Sequence, residues 1–155
     1  MIAELPNLAI KDRFGPCGIL CENCFAYVNG TVRESSAALQ KALGNFEIYA
    51  SRFSDLLGNP IFNKYPDFKE LLDYFVSVEC KGCRKDKCQL FADCKVRECH
   101  KLKSVDFCFH CNEFPCANTG FDEHLYKRSV QINVKIKEIG IEKHYEEVKD
   151  KPRYV

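Results

Sequence analysis

The chain lacks the extremes that would assign it a class at sight. It has no run near the roughly 18 apolar residues of a membrane span. Met1 to Phe14 intersperses Glu4, Pro6, Lys11, Asp12 and Arg13 with no signal-peptide core, so the expectation is a cytoplasmic protein with no membrane partner. Lys and Arg number 23 against 22 Asp and Glu, and a net charge of +1 supplies no overall field to attract nucleic acid or an anionic surface. Catalytic signatures are missing too: there is no G-x-S-x-G elbow, no H-E-x-x-H, no P-loop and no dinucleotide fingerprint. The reading therefore leans away from an enzyme. With 46% hydrophobic and 29% charged residues over 155 positions, the composition is that of one ordinary domain, not of a disordered, collagenous or coiled-coil chain.

Conventional packing residues are also scarce. Eleven of the hydrophobic residues are cysteines, and without them the apolar share falls to roughly 39%, low for a globular core. The cysteines stand in three groups, Cys17, Cys21 and Cys24, then Cys80, Cys83, Cys88, Cys94 and Cys99, then Cys108, Cys111 and Cys116. An odd total, a reducing compartment and three C-x-x-C pairs argue against a disulfide framework. C-x-x-C is the spacing at which one turn lets two thiolates grip one ion. Here it recurs at Cys21/Cys24, Cys80/Cys83 and Cys108/Cys111, the last two each followed by a further cysteine five residues on.

Thiolate-rich tetrahedral sites select zinc or iron with sulfide, and zinc needs no assembly machinery. The expectation is two or three zinc ions per chain held by the eleven cysteines. Three closed sites need about twelve ligands, which one of His100 or His110 would complete, while two sites with spare thiols fit equally well. His124 and His144 read as surface or packing residues of helices. Were a catalytic zinc present, Cys99-His100 or His110-Cys111 would be its place.

Glu79 to Lys103 holds eight basic residues (81, 84, 85, 87, 95, 97, 101, 103) against four acidic ones. That excess could serve nucleic acid, but thiolate sites are anionic and offset it, so a protein partner is the favoured expectation.

The expected architecture is mainly α with metal-stapled cysteine-rich loops, a small multi-zinc single domain. Residues 17–30 form the first ligand loop, with Gly18 and Gly30 curling it. Residues 31–78 are helical. One helix carries Leu39, Leu43, Phe46, Ala50, Phe53 and Leu57 on one face, opens on a Thr31/Glu34 capping box, and stops at Gly58-Asn59-Pro60. A second runs from Asp67 to Val78, with Asp67 and Glu70 as caps and Pro66 just before it. Residues 79–120 form the cysteine-rich metal-binding segment, with short helical turns at Leu90 to Cys94 and Val96 to Leu102. Residues 121–150 are C-terminal helices, one over Asp122 to Glu138 despite strand-like alternation, then Ile141 to Val148 beyond Gly140. The tail from Lys149 is expected to be loosely held.

Pro16-Cys17-Gly18-Ile19-Leu20-Cys21-Glu22-Asn23-Cys24, then Cys80-Lys81-Gly82-Cys83, Cys94-Lys95-Val96-Arg97-Glu98-Cys99 and Cys108-Phe109-His110-Cys111-Asn112-Glu113-Phe114-Pro115-Cys116 together resemble a domain-of-unknown-function family. It is a cysteine-rich family of small bacterial and archaeal proteins. The resemblance implies a zinc-bound helical domain of prokaryotic origin, supplies no activity, and extends to the Ile136 to Gly140 turn. It expects a ligand nearer Cys94 than Cys88 stands.

Two other chemistries compete. Cys17-x3-Cys21-x2-Cys24 is also the three-cysteine spacing of radical S-adenosylmethionine enzymes, but no alternation of strands and helices follows it, so an iron-sulfur cluster protein is the simpler alternative. The lysine-rich 81–87 stretch could instead depress a thiol pKa and make a redox or metal sensor.

Overall fold

A computed structural model of the chain describes residues 9–85, 88 and 90–155. The leader reading of Met1 to Phe14 thus falls partly, and Asp86 and Lys87 of the basic stretch wholly, outside the described residues. Helices form where apolar residues recur every three or four positions: α1 (Thr31–Leu43), α2 (Phe46–Leu57), α3 (Tyr65–Ser77), α4 (Val96–Leu102), α5 (Glu123–Ile139) and α6 (Ile141–Val148). Among the described residues, the extended pairings are the isolated bridges Phe14–Leu20 and Tyr27–Cys80. No described helix is long and apolar enough to cross a membrane.

The long helix expected from residue 31 to 57 is two. Gly44 and Asn45 interrupt it, the Gly44 N–H closing back on the Gln40 carbonyl, and α2 starts afresh at Phe46. The apolar series continued across the break because Leu43 and Phe46 keep the same three-residue step. The expected capping box does not form either: Gly30 is the N-cap, without a side-chain cap bond, and Thr31 is already helical. α3 begins at Tyr65 rather than Asp67, with Pro66 inside its first turn, where a missing N–H costs nothing. Leu90 to Cys94 makes a turn closed by Cys94 N–H on the Phe91 carbonyl instead of a helical segment.

α5 is helical throughout. Asp122 caps it by accepting from Leu125 N–H at 2.8 Å, and Gly140 ends it by donating to the Ile136 carbonyl. The alternation of Val130, Ile132, Val134 and Ile136 is a by-product of a helix that buries Leu125, Ser129, Asn133 and Ile136 at steps of three and four.

Three buried clusters form the core, and each contains residues of the 14–27 loop. Cys21, Cys24, Ala26, Tyr27 and Cys80 make one. Phe14, Leu20, Phe107 and Ile136 make the second, and Cys17, Ile19, Val96 and Leu125 the third. Phe14 is fully enclosed, edge-on to Phe107 at 6.4 Å and to Tyr145 at 6.1 Å; burying such a ring stabilises by about 2–3 kcal/mol. The first cysteine loop is therefore the centre of the protein rather than an appendage.

α1 packs on α3, while α2 meets α3 and the 60–64 turn through Phe46, Phe53, Phe62 and Tyr65, with Phe46 and Tyr65 rings 4.9 Å apart. The middle of the expected core stripe is inside, with Ala50 buried and Leu43, Phe46 and Phe53 half-buried, but its two ends are not: Leu39 is 44% and Leu57 64% exposed. The tail is held, contrary to expectation. Arg153 donates to the Leu20 carbonyl at 2.9 Å, Arg128 donates to the Arg153 carbonyl, and the Phe25 N–H donates to the Tyr154 hydroxyl.

Candidate metal centres

The first loop turns on itself through Gly15 N–H to the Ile19 carbonyl and Cys21 N–H to the Arg13 carbonyl. Gly18 sits at φ +87°, and a Cβ there would stand 3.0 Å from both Asn133 Nδ2 and Ile132 Cγ2, so a side chain is opposed by backbone conformation and by crowding. The second motif is docked on this loop like a short ladder. Cys80 N–H donates to the Ala26 carbonyl and Val28 N–H to the Cys80 carbonyl, both at 2.9 Å.

This docking brings Cys17, Cys21, Cys24, Cys80, Cys83, Cys88 and Cys94 around one cavity of about 40 Å³. Cys83 lies within hydrogen-bonding reach of Cys21 and Cys88, which retains its own proton and pushes its pKa up. Its neighbours move the other way: the bond from Cys83 lowers Cys21 to about 7 against its burial, and Cys88 to about 5. Cys17 is pushed up to about 12 by burial, with nearby thiols adding.

A second cavity, of about 30 Å³, is lined by Cys99, His100, Cys108, Cys111 and Cys116. α4 supplies Cys99 and His100, and the turn at Cys108 is docked by its N–H on the Pro16 carbonyl at 3.0 Å. Burial, with Cys116, Cys99, Cys111 and Cys94 adding, pushes Cys108 up to about 12. His100 Nδ1 lies 3.1 Å from the Val105 carbonyl, which can only accept, so the proton sits on Nδ1. Nε2 then carries the lone pair, and it is buried with no hydrogen-bond partner among the described residues. A ring nitrogen oriented by a backbone carbonyl through its opposite N–H is how a ligating histidine is held. Burial lowers the His100 pKa, Arg84 and Lys101 reinforcing, which favours the neutral ring a metal requires.

His110 is not brought to either cavity. Its Nδ1 accepts from Phe107 N–H at 3.3 Å, and the ring lines an open cleft with Lys11 and Asp106. Cys17, Cys94 and Cys108 pack against the same cluster of Ile19, Val96 and Leu125, which joins the two thiol groups. Spacing alone pairs 80/83/88 with 108/111/116 as equivalents; in space the former joins the first loop and the latter joins Cys99.

The residues that assemble the cavities are mostly not cysteines. Asn133 has no exposed surface; its Nδ2 donates to the Cys17 carbonyl at 2.6 Å and its Oδ1 accepts from Phe109 N–H at 3.2 Å. Ser129, one turn earlier, donates to the same Cys17 carbonyl at 2.9 Å. One helix thereby clamps the first and third cysteine loops together. Arg84 does the same for the second, donating to the Phe14 and Asp106 carbonyls while its guanidinium lies 4.8 Å from the Phe107 ring centre. Neither clamp was read from sequence, although a polar pair at i and i+4 on the buried face of α5 was the available signal. The basic stretch is partly engaged as well, Arg97 pairing with Glu98 and Lys103 with Glu113.

Among the described residues, no group of three or more His, Cys, Asp or Glu side chains is closed up in metal-holding geometry. What fits a soft ion is the chemistry of the linings: thiols gathered from distant motifs, and an orphaned imidazole nitrogen beside four of them. Residues 13–120 match the model of a family described as a protein of unknown function, DUF3795. The match ends before α5, so the Ile136 to Gly140 turn, to which the sequence resemblance extended, lies outside it. No curated protein and no solved structure matches the chain.

Proposed function

The chain belongs to the DUF3795 family, and on that premise we propose that it is a zinc-binding protein whose cysteine-rich body is a metal-stabilised module for docking a partner protein. The observation that carries this reading is the second cavity, whose wall combines Cys99, Cys108, Cys111 and Cys116 with a neutral His100 that has its Nδ1 on a backbone carbonyl and its Nε2 unpartnered among the described residues. Four of these five donors would make one closed tetrahedral zinc site. The seven thiols of the larger cavity would hold the remaining one or two ions. Zinc supplies a cross-link in place of apolar mass, in keeping with a chain so poor in other core residues. Closed thiolate sites are structural as a rule, which makes the function one of presentation rather than catalysis. Thiols in this number are suited to the reducing cytoplasm.

The partner would meet the α1–α3 arm, whose Ile48, Leu56, Leu57 and Leu71 are each more than half exposed. The basic 81–103 residues offer nucleic acid a weaker alternative, since Arg84 is committed to the loop carbonyls.

The surplus of thiols in the larger cavity favours a second reading for that site alone, an iron-sulfur cluster. Elemental analysis with an absorption spectrum on protein purified without oxygen or chelator separates the two. Two or three zinc per chain and no visible colour are expected, with one zinc lost in the Cys108→Ser, Cys111→Ser double variant. Iron with acid-labile sulfide moves the larger site to the second reading, and protein free of bound metal ends both.

A further inference from the structure

One recess among the described residues is broad and has no cysteine in its wall. It measures about 580 Å³, within the usual range of small-ligand sites, and lies between α5, α6, the first loop and the tail. His124, Lys127 and Arg128 line it from α5, where steps of three and four place them on one face, and Lys151 and Arg153 line it from the tail. Among the described residues, no Asp or Glu lines it.

Cations around a recess are common, and by themselves would be a solvated face. Two further observations point to a ligand. His144 of α6 lines the same recess, is only 5% exposed, and its Nδ1 is buried without a hydrogen-bond partner among the described residues. Asn23 lines it from the first loop, and its Oδ1 is likewise buried and unpartnered among them, while its Nδ2 donates to the Lys151 carbonyl. Buried polar groups left unpaired are costly, and here both belong to residues that line the recess, the two atoms themselves being closed off from solvent.

The guanidinium groups are already positioned. Arg153 is fixed by the Leu20 carbonyl and Arg128 by the Arg153 carbonyl, each engagement leaving other N–H donors of the fork available. Lys127 pairs with Glu123 across one turn, but both are mostly exposed, and such a pair yields readily to a stronger anion. Burial and Lys135 hold His144 toward its neutral form, with Glu147 opposing, so the ring can offer one donor and one acceptor.

We propose that this recess binds a small phosphate-bearing organic anion, its phosphate met by Lys127, Arg128, Lys151 and Arg153 and its hydrogen-bonding body by His144 and Asn23. Four permanent cations with no Asp or Glu side chain among the described lining residues exceed what a single carboxylate matches and suit a multivalent phosphate. The site is independent of the metal reading. Gly18, Ile19, Leu20 and Asn23 of the family-matched first loop line one side, and the rest of the wall comes from α5, α6 and the tail beyond that match. Arg153 also lines the larger thiol cavity, so the ligand would sit one side chain from the cysteines.

The test is a titration of the intact protein as purified with inorganic pyrophosphate at constant ionic strength, following the His144 ring protons by NMR. Those protons are identified by their contact with the Phe14 ring, whose centroid is 5.8 Å away. A saturable shift is expected. It should weaken roughly tenfold in Lys127→Gln/Lys151→Gln, the combined contribution of two exposed cations at contact distance. It should be unchanged in Lys41→Gln/Lys64→Gln, which removes the same charge from the arm. Absence of a saturable shift, or equal weakening in both variants, overturns the proposal. Tighter binding of citrate overturns the phosphate assignment, and tighter binding of a short single-stranded oligonucleotide overturns the small-ligand assignment in favour of nucleic acid.

Discussion

The α1–α3 arm and the cysteine-rich body are built by opposite means. In the arm, helices of twelve or thirteen residues pack side by side, α1 on α3 and α2 on α3 and the 60–64 turn, with aromatic rings at the second contact, and several large apolar side chains remain in solvent. In the body, segments with little regular structure cross one another around the three buried apolar clusters, and buried polar side chains tie the loops together. Local periodicity suffices for the first. The second depends on a few groups that each tie together chain positions tens of residues apart.

The largest expected effect separates the two regions directly. On the zinc reading, a strong chelator removes cross-links whose apparent binding energy is of order 10 kcal/mol per site, and that energy is folding energy. Hydrogen exchange read by mass spectrometry should then show residues 80–116 losing protection at a chelator level where 31–77 keep theirs. Simultaneous loss in both regions would mean that the arm depends on the body for its helices.

Next comes the α5 clamp. Asn133→Leu leaves the Phe109 N–H without its acceptor and the Cys17 carbonyl with Ser129 alone. A cost of about 2–4 kcal/mol is expected in denaturant unfolding, against about 1 kcal/mol for Ser129→Ala, which leaves Asn133 on that carbonyl. In the arm, Gln40→Ala removes an amide that donates to Asp73 at 2.8 Å on a partly exposed surface, and should cost a few tenths of a kcal/mol. Equal losses at Asn133 and Gln40 would erase the distinction.

A glycine pair sharpens it further. Gly58 ends α2 at φ +58°, and a methyl group added there would meet nothing within 4 Å among the described residues, so Gly58→Ala carries only the left-handed penalty of about 1 kcal/mol. Gly18→Ala adds a close approach to Asn133 and should cost roughly 2–3 kcal/mol, read by thermal unfolding.

The smallest effect is in acid. Lys69, with Gln40, holds the Asp73 carboxylate below its usual range, and Lys11 does the same for Asp106. A carboxylate whose folded pKa is depressed contributes stability above its unfolded value of about 4 and loses it as pH falls through the folded one. Asp73→Asn and Asp106→Asn should each flatten the acid limb of the stability profile slightly. Both groups are solvent-screened, so arm and body should differ little here.

Helix class and most helix limits were legible because they rest on local rules. α5 was recoverable despite its alternating residues, since Asp122 and Gly140 mark its ends. α1 and α2 were fused because a hydrophobic step of three is blind to a glycine in the middle. The exposure of Leu39 and Leu57 was illegible for a different reason: amphipathic spacing says which residues share a face, not whether anything covers it.

The candidate sites divide in the same way. That the two cysteines of each C-x-x-C pair line the same cavity follows from spacing within one turn. The split into seven and four, the role of Asn133, the choice of His100 over His110 as the residue beside the thiols, and the cationic recess around His144 all join positions far apart in the chain. By itself the sequence determined most of the helices and the grouping of cysteines into close pairs, because both are written over a few consecutive residues. Only the tertiary structure decided which thiols are neighbours and which polar atoms are left without partners, because those depend on how loops dock, and docking is governed by contacts that no local pattern encodes.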